Sequence, residues 1–362
     1  KVIYLIVKVL FATYLLWKIS STFDLAANFL TRNIGEGIKG PTINAIASSL
    51  PELFISTMFL FYYGDIKGFS ASYATIIGSS AFNIAVIPVV SFLVVYFKNN
   101  TKKFEVDKVI VKQDGIFLIG AIILFLLGFL YGINTCFTYI LIGYYIVYVY
   151  SLYISRKSNK SDFESNNIVE TESSNGIFSD ILNLKLFSLF NSGKITTNSS
   201  LLIILLSIVV IGLSCDILIT STEHISKFIG INLFFVSFFI ASIASSIPDT
   251  FLSVKDATNG KFKDSFSNAY GSNMFDICIG LGLPLFVYTT INGTINTDFP
   301  ITRIGFLGDS FLNGNVLLWS IILLLVFTIT TTLIYYYNTL KFQNAIIIIA
   351  LYLLFMFGLI IF

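Results

Sequence analysis

The sequence predicts an all-α polytopic membrane protein, in which ten transmembrane helices form two inverted five-helix repeats. Three observations predict this fold class: a very apolar composition, ten apolar runs long enough to cross a bilayer, and a polar motif that occurs twice. Of the 362 residues, 56% are hydrophobic and 12% are charged, and the mean hydropathy is +0.85. A soluble globular domain carries about 25% charged residues. The composition therefore places the chain in a lipid bilayer.

The composition also excludes several function classes. A net charge of +2 leaves no electrostatic footprint for nucleic acid, so we expect no nucleic-acid partner. Cys136, Cys215 and Cys278 are scattered within apolar runs and match neither a disulfide framework nor a zinc-site spacing. The single histidine, His224, excludes a site with several histidine ligands. We therefore expect no cofactor.

Ten spans follow from the apolar runs, because a helix needs about 20 mainly apolar residues to cross the hydrocarbon. The predicted spans are Val2–Ser20, Ile38–Tyr63, Ser70–Phe97, Gly115–Ile133, Thr135–Ile154, Ser200–Thr222, Leu233–Val254, Ser265–Ile291, Gly314–Tyr337 and Phe342–Phe362. A β-barrel would show alternating segments of about 10 residues. Runs such as 121–130 and 201–213 are instead apolar on every face.

The basic residues predict how the helices are oriented. Ten spans place alternate loops on opposite sides, and 17 of the 22 basic residues then fall on one side. These are Lys18, Arg32, Lys39, Lys98, Lys102, Lys103, Lys108, Lys112, Arg156, Lys157, Lys160, Lys185, Lys194, Lys255, Lys261, Lys263 and Lys341. Since basic residues accumulate in cytoplasmic loops, both termini should lie outside. The cell membrane is the expected location. The polar 156–199 loop should be a flexible cytoplasmic connector.

A short polar motif occurs once in each half of the chain. Residues 45–52 (AIASSLPE) align with 242–249 (SIASSIPD) at an offset of 197, and 78–83 (GSSAFN) align with 271–276 (GSNMFD) at an offset of 193. Residues 1–155 therefore form the first repeat, with its motif region at 38–97. Residues 200–362 form the second repeat, with its motif region at 233–291. Because each half has five helices, the second half enters the membrane upside down, as in secondary transporters.

Three carboxylates lie inside the spans that carry the motif: Glu52, Asp249 and Asp276. A carboxylate at the bilayer centre costs roughly 2.5–3.5 kcal/mol, so each needs a compensating interaction. The four spans of the two motif regions hold no Lys or Arg at comparable depth. Bound cations are therefore the expected partners, and the oxygen ligands favour hard ions such as Ca²⁺ and Na⁺.

A proline follows a serine pair in both motifs, at Pro51 and Pro248. Proline removes one helical hydrogen bond and obstructs the carbonyl about one turn earlier, near Ala47 and Ala244. Such backbone is tolerated in a membrane only where it lines a cavity. The hydroxyls just before the prolines belong to Ser48, Ser49, Ser245 and Ser246. We expect a cation site at the midplane, where the repeats meet.

Each feature also has a simpler structural interpretation. Serine and proline in membrane helices often serve only packing or kinking, and Gly78-Ser79 and Gly271-Ser272 are also suited to close helix contacts. The joint occurrence of serines, proline, acid and the Gly-Ser motif, twice and in opposite orientation, favours a functional site.

These motifs resemble the two α-repeats of the cation/Ca²⁺ exchanger superfamily, sodium/calcium exchanger type. The resemblance covers all ten helices in layout, and about 45–83 and 242–284 in motif. Segments 245–251 (SSIPDTF) and 267–284 (SNAYGSNMFDICIGLGLP) are most similar to the potassium-dependent branch. The resemblance implies a secondary active antiporter, not an enzyme, that exchanges Na⁺ for Ca²⁺ by alternating access. K⁺ is a candidate co-transported ion, and we expect a monomer or a weak oligomer.

The resemblance also implies roles for individual residues. Glu52 and Asp249 fall on the central carboxylates, which ligate Ca²⁺ and compete for it with Na⁺. The Na⁺-coordinating hydroxyls correspond to Ser49, Ser246, Ser79 and Ser272. The positions that offer backbone carbonyls correspond to Ser48, Ser245, Ala45 and Ser242. Asn83 and Asp276 match the amide and acid that flank the central site, and Asp276 resembles the residue linked to K⁺. Ala47 and Ala244 depart from the family's usual glycine.

Three alternatives stay open from the residues alone. An H⁺/Ca²⁺ exchanger would neutralise the same carboxylates with protons, although the four serines at sodium-type positions favour Na⁺. An intramembrane aspartyl protease also needs two buried acids, but its Tyr-Asp and Gly-x-Gly-Asp motifs are missing. A channel usually obtains its symmetry from subunits, whereas here the repeat lies within one chain.

Overall fold

The computed structural model describes residues 2–32, 38–99, 106–156, 176–191, 193–295 and 316–361. Within these ranges, ten helices are long and apolar enough to cross a membrane, which confirms the predicted fold class. The spanning helices are α1 (Val2–Leu30), α2 (Pro41–Gly64), α3 (Lys67–Lys98), α4 (Lys108–Tyr131), α5 (Thr135–Arg156), α8 (Thr197–Ile229), α9 (Leu233–Thr258), α10 (Phe262–Asn292), α11 (Val316–Tyr337) and α12 (Phe342–Ile361). Two short helices, α6 (Ile177–Leu182) and α7 (Leu186–Asn191), lie between the two halves.

Several helices extend beyond the predicted apolar runs. Helix α1 continues to Leu30 instead of ending at Ser20, and α4 begins at Lys108 instead of Gly115. Polar caps support some of these extensions: the Asp107 side chain accepts a hydrogen bond from the Val109 amide, which satisfies an otherwise unpaired donor. Gly314 and Phe362, at the edges of predicted spans, lie outside the described residues.

The predicted connector at 156–199 contains regular structure where it is described. Residues 157–175 lie outside the described part, whereas α6 and α7 occupy most of 176–191. Leu186 and Phe187 are buried in a cluster with α1 and α8 residues. The expectation of a flexible connector is therefore wrong for this part, because α7 buries apolar side chains against the spanning helices.

A π-helical turn precedes the serine-proline-acid motif in both halves. The turns cover Gly40–Asn44 and Ser237–Ala241, which the repeat offset of 197 superimposes residue for residue. A π-turn shifts the register of the helix that follows and is frequent at functional sites. The repeat seen in the sequence is thus also a repeat in backbone conformation.

The second motif of each repeat is followed by a departure from regular α-helical hydrogen bonding, which differs between α3 and α10. In α10 a π-turn covers Asp276–Leu281, whereas α3 has Pro88, which cannot donate to the carbonyl four residues earlier. That carbonyl belongs to Ile84, and the buried hydroxyl of Tyr335 on α11 donates to it at 2.8 Å. Helix α11 therefore satisfies a backbone acceptor that the proline leaves free.

Charged residues that the sequence assigned to one side of the membrane meet at one end of the helix bundle. Lys255 Nζ lies 3.5 Å from Asp24 Oδ2, and Arg156 pairs with buried Asp114 at 2.7 Å. We call this end the basic end. At the other end, Lys67 and Lys227 contact Glu223 Oε1 at 2.8 and 2.6 Å. The orientation of the basic end toward the cytoplasm stays a prediction.

Candidate cation site

The motif helices of the two repeats converge in the bundle interior, and every predicted site residue is buried there. The twelve residues are Ala45, Ser48, Ser49, Glu52, Ser79, Asn83, Ser242, Ser245, Ser246, Asp249, Ser272 and Asp276, each at most 2% exposed. Helices α2 and α3 supply the first six, and α9 and α10 supply the others. Residues separated by nearly 200 positions in the chain thus share one polar cluster.

The Ser79 hydroxyl lies at the centre of this cluster. Its oxygen is 3.1 Å from Asp276 Oδ2 and 3.5 Å from Glu52 Oε1, so it can donate to a carboxylate of either repeat. Ser246 Oγ donates to Ser79 Oγ at 2.9 Å, and Asn83 Nδ2 donates to it at 3.3 Å. One hydroxyl therefore joins all four motif segments.

Asp249 occupies the second part of the cluster. Ser272 Oγ donates to Asp249 Oδ1 at 2.7 Å, and Ser48 and Asn83 of the first repeat are close enough to stabilise the charge of this carboxylate. The Glu52 carboxylate is influenced by the negative charges of both Asp276 and Asp249. Three acids thus lie close enough to repel one another when ionised.

The glycines of the Gly-Ser motif allow the repeats to approach each other. A Cβ atom on Gly78 would lie 2.6 Å from the Phe238 carbonyl oxygen, and one on Gly271 would lie 2.6 Å from the Pro41 carbonyl oxygen. Phe238 and Pro41 belong to the two π-turns, so each glycine packs against the π-turn of the opposite repeat. The packing interpretation is therefore right for the glycines, while the adjacent serines contact the acids.

Several oxygen atoms in the cluster have no hydrogen-bond partner in the described part of the chain. They are Ser49 Oγ, Glu52 Oε2, Asn83 Oδ1, Asp249 Oδ2 and Asp276 Oδ1. Leaving a buried polar atom unpaired costs about 1–3 kcal/mol, and more for a charged group. The carboxylate and amide oxygens can only accept hydrogen bonds, and the Ser49 hydroxyl can accept one. A ligand of a cation needs such a lone pair. The residues present therefore fit a bound hard cation.

No basic side chain compensates the three acids within the described residues. None of the ion pairs found there includes Glu52, Asp249 or Asp276. In the described part of the chain, no group of three or more His, Cys, Asp or Glu side chains could hold a metal ion by itself. Hydroxyl, amide and carbonyl oxygens would have to complete the coordination shell.

The serines at the carbonyl positions bond to their own helices. Ser48 Oγ donates to the Asn44 carbonyl at 2.8 Å and lies 3.4 Å from that of Ala45, and Ser245 Oγ donates to the Ser242 carbonyl at 3.1 Å. The Ser242 hydroxyl itself donates to the Phe238 carbonyl. The predicted role of these carbonyls as ligands stays a prediction.

Sequence reasoning missed two buried asparagines on α10. Asn273 Nδ2 donates to the Ser80 carbonyl at 2.9 Å, and Asn273 Oδ1 accepts from Asn83 at 3.1 Å, so this amide connects α10 to α3. Asn268 Nδ2 donates to Ser253 Oγ at 3.0 Å and is close enough to Asp249 to stabilise its charge. The repeat contained a signal for Asn273, because the offset of 193 aligns it with Ser80.

Polar residues continue from the cluster toward the basic end. Asn44 Nδ2 donates to Asp256 Oδ2 at 3.2 Å, which connects the π-turn at the start of α2 to the end of α9. Lys39, just before this turn, is partly buried; burial lowers its pKa, and the negative charge of Asp24 opposes that effect. The sequence contained no signal for this arrangement, because Asn44 and Asp256 are far apart in the chain.

Comparison with known proteins agrees with this geometry. Residues 4–154 and 199–361 match the family model described as sodium/calcium exchanger protein. Over 71 residues, 20% of this chain, the sequence is 37% identical to sodium/potassium/calcium exchanger 1 from Gallus gallus. The matched segment is 11% of that relative's length, so the chain aligns with only a small part of it.

Two solved structures share the fold. The crystal structure of the H⁺/Ca²⁺ exchanger CAX superimposes with a TM-score of 0.69 at 16% identity, covering 98% of this chain and 81% of that one. The sodium-calcium exchanger NCX_Mj, soaked with zero Na⁺ and Ca²⁺, superimposes with a TM-score of 0.58 at 19% identity, covering 98% of both chains. The predicted resemblance to the exchanger superfamily is confirmed.

Proposed function

Because the chain belongs to the sodium/calcium exchanger protein family, we propose that it is a secondary active antiporter that exchanges Na⁺ for Ca²⁺ across a membrane. The observation that carries the proposal is the buried cluster of Glu52, Asp249 and Asp276, contributed by both repeats. Its unpaired oxygen atoms can replace the hydration shell of a cation. Ca²⁺ takes six to eight oxygen ligands, which carboxylates, hydroxyls and amides together can supply.

The arrangement of the repeats supports alternating access. Ligands from both repeats converge on one cluster, as expected for a transporter whose site lies at the repeat interface. A rearrangement of one repeat against the other could open the cluster to either side in turn. Na⁺ and Ca²⁺ would then compete for the same acids, and the hydroxyls of Ser49, Ser79, Ser246 and Ser272 would complete the Na⁺ ligands.

An H⁺/Ca²⁺ exchanger is the second candidate. Glu52 and Asp276 repel each other electrostatically, and protons could relieve this repulsion as well as Na⁺ could. The shared fold with the H⁺/Ca²⁺ exchanger CAX does not distinguish the two candidates, because NCX_Mj has it as well.

Asp276 is also the candidate site for K⁺. It places a third carboxylate where the first repeat has the neutral amide of Asn83. An additional negative charge in a medium of low dielectric constant favours either a further monovalent cation or a proton.

The driving ion can be identified by Ca²⁺ uptake into vesicles that contain the purified protein. We expect uptake with an outward Na⁺ gradient and no uptake with an outward H⁺ gradient in Na⁺-free buffer. Uptake driven by H⁺ alone would replace the Na⁺ proposal by the second candidate. If neither gradient drives Ca²⁺ uptake, both candidate functions are contradicted.

Charge-neutral variants test the site itself. Glu52→Gln and Asp249→Asn should each abolish Ca²⁺ exchange while the protein stays folded, because a neutral amide is easier to bury than a carboxylate. Glu223→Gln is the matched control, since Glu223 pairs with Lys67 and Lys227 at the far end of the bundle. Exchange above about half the wild-type rate in either site variant would disprove the assignment.

We further propose the cell membrane as the location, with both termini outside and the 156–199 segment in the cytoplasm. The support is the distribution of basic residues between the two ends of the bundle. We also propose that the functional unit is a monomer or a weak oligomer, because one chain supplies both halves of the cation site.

A further inference from the structure

The segment that holds α6 and α7 is hydrogen-bonded to the middle of helix α1. The Tyr14 hydroxyl donates to the Leu182 carbonyl at 2.8 Å, Lys18 Nζ donates to Asn183 Oδ1 at 2.8 Å, and the Thr22 hydroxyl donates to the Leu184 carbonyl at 2.7 Å. Three polar side chains along α1 thus bond to three consecutive residues, the last residue of α6 and the two that follow it. This pattern fixes the depth of the segment relative to α1.

The contacts lie where the apolar run of the first predicted span ends, at Ser20, which suits the boundary between hydrocarbon and water. Trp17 and Lys18 lie in the same stretch of α1, just before Ser20, where the apolar run of the first span ends. Tryptophan is enriched at the level of the lipid headgroups, and lysine reaches toward them. Lys18 Nζ lies 4.0 Å from the centre of the Trp17 ring, so the two side chains lie at one depth.

The side of the segment that faces the bundle is well packed. Leu186 and Phe187 are buried in the cluster that includes Leu16 and Ile203. The carboxylate of Asp180 is also buried and accepts a hydrogen bond from Ser188 at 2.6 Å. The segment is therefore packed against the spanning helices.

The opposite side of the segment is apolar and exposed. Ile177, Phe178 and Phe190 are 76%, 77% and 65% exposed, and Ile181 and Leu182 are exposed as well. Facing water, such aromatic and branched side chains would forgo roughly 1.5–3 kcal/mol of burial energy each. An exposed apolar surface of this kind marks a contact with another apolar phase.

The lipid bilayer is the occupant that the surroundings favour. Leu201, Leu202 and Leu205, in the first turns of α8, are also exposed and belong to the lipid-facing surface of a spanning helix. Helix α7 ends shortly before these turns in the chain and packs against α8, so the exposed apolar residues of α6 and α7 lie on the same part of the bundle. Lys185 and Lys18 are close enough to influence each other electrostatically, and two basic side chains near the exposed apolar side suit a surface of anionic lipid.

We propose that residues 176–191 form an amphipathic interfacial element, whose apolar side chains insert into the leaflet at the basic end of the bundle. Amphipathic interfacial helices insert about 5–10 Å into the boundary between headgroups and acyl chains. The element links the middle of α1 to the membrane, because its polar contacts bind α1 and its apolar residues bind lipid.

Tryptophan fluorescence in vesicles tests this proposal on the full chain. Trp17 and Trp319 are replaced by Phe, and one tryptophan is introduced as Phe178→Trp or Phe190→Trp. Asn259→Trp is the control, because Asn259 is exposed in the turn between α9 and α10 at the same end of the bundle. Each protein is placed in vesicles of phosphatidylglycerol and phosphatidylcholine with brominated acyl chains, and separately exposed to iodide.

We expect brominated lipid to reduce the emission at positions 178 and 190, with little loss on addition of iodide. The control should lose emission to iodide and keep it in brominated lipid. Iodide quenching at position 178 as strong as at position 259 would show that the apolar side faces water, which would overturn the proposal. Protection from both quenchers would overturn it as well, since a second copy of the chain or another protein would then cover this side.

Discussion

Replacing Ser79 by alanine should weaken cation binding more than any neighbouring serine replacement. The Ser79 hydroxyl is fully buried and lies within 3.5 Å of carboxylate oxygens of Glu52 and Asp276. Alanine removes a candidate cation ligand, and it also removes the group that orients these carboxylates. A hydrogen bond to a charged group contributes about 1.5–3 kcal/mol, which corresponds to a roughly 10- to 150-fold change in affinity.

Ser80→Ala provides a closely matched control. Ser80 is the next residue in α3 and is equally buried, but its hydroxyl makes no hydrogen bond to Glu52, Asp249 or Asp276 in the described part of the chain. Its backbone carbonyl accepts from Asn273, and the substitution keeps that contact. We therefore expect Ser80→Ala to leave the affinity within about twofold of wild type, a change well below 1 kcal/mol.

The measurement is the Ca²⁺ concentration that gives half-maximal Na⁺-dependent exchange in vesicles, with the unfolding temperature in detergent recorded for each variant. The expected result is a large increase for Ser79→Ala, no such increase for Ser80→Ala, and similar unfolding temperatures for both. Equal effects of the two substitutions on the half-maximal Ca²⁺ concentration would refute the central position of Ser79.

Three further predictions concern K⁺, topology and stability. If Asp276 holds K⁺, then K⁺ should stimulate wild-type exchange, and Asp276→Asn should transport without K⁺. If Asp276 is protonated, neither the wild type nor the variant should respond to K⁺. An Asp276→Asn variant that is inactive in every salt would contradict both cases. An impermeant thiol reagent should label native Cys136, exposed at the start of α5, on intact cells, but should not label Asn259→Cys in a Cys136→Ser background; the reverse pattern would invert the orientation. Tyr335→Phe should lower the free energy of unfolding by about 1–3 kcal/mol, because it leaves a buried carbonyl unpaired, whereas Tyr145→Phe should have little effect, since that hydroxyl has no hydrogen bond in the described residues.

The sequence alone was sufficient to predict the class of fold. Hydrocarbon excludes unpaired backbone groups, so a long apolar run in a membrane must be a helix, and ten such runs define the layout. The repeated motif predicted which residues form the polar cluster, because buried carboxylates without basic partners are costly in a bilayer and are rarely placed there without a function. All twelve predicted site residues are buried, and acids of both repeats meet there.

Helix ends and local backbone conformation could not be derived from hydropathy. The first apolar run ends at Ser20, because polar residues follow, but helical backbone hydrogen bonds continue to Leu30 irrespective of side-chain polarity. The π-turns also escaped prediction, since nothing in residues such as 40–44 distinguishes a π-turn from an α-turn. The apolar residues of α7 were overlooked, because a six-residue helix is too short to show a periodic pattern.

The composition and the internal repeat thus determined the membrane environment, the helix number and the candidate ligands, because these follow from the cost of placing each residue type in hydrocarbon. Only the tertiary structure decided that Ser79 connects Glu52 to Asp276, that Asn273 connects α10 to α3, and that each motif glycine packs against the opposite π-turn. Such contacts join residues that are distant in the chain, and they depend on how closely the helices approach and in what register. Interhelical distance and register result from the packing of all the side chains together, which no single segment of sequence encodes.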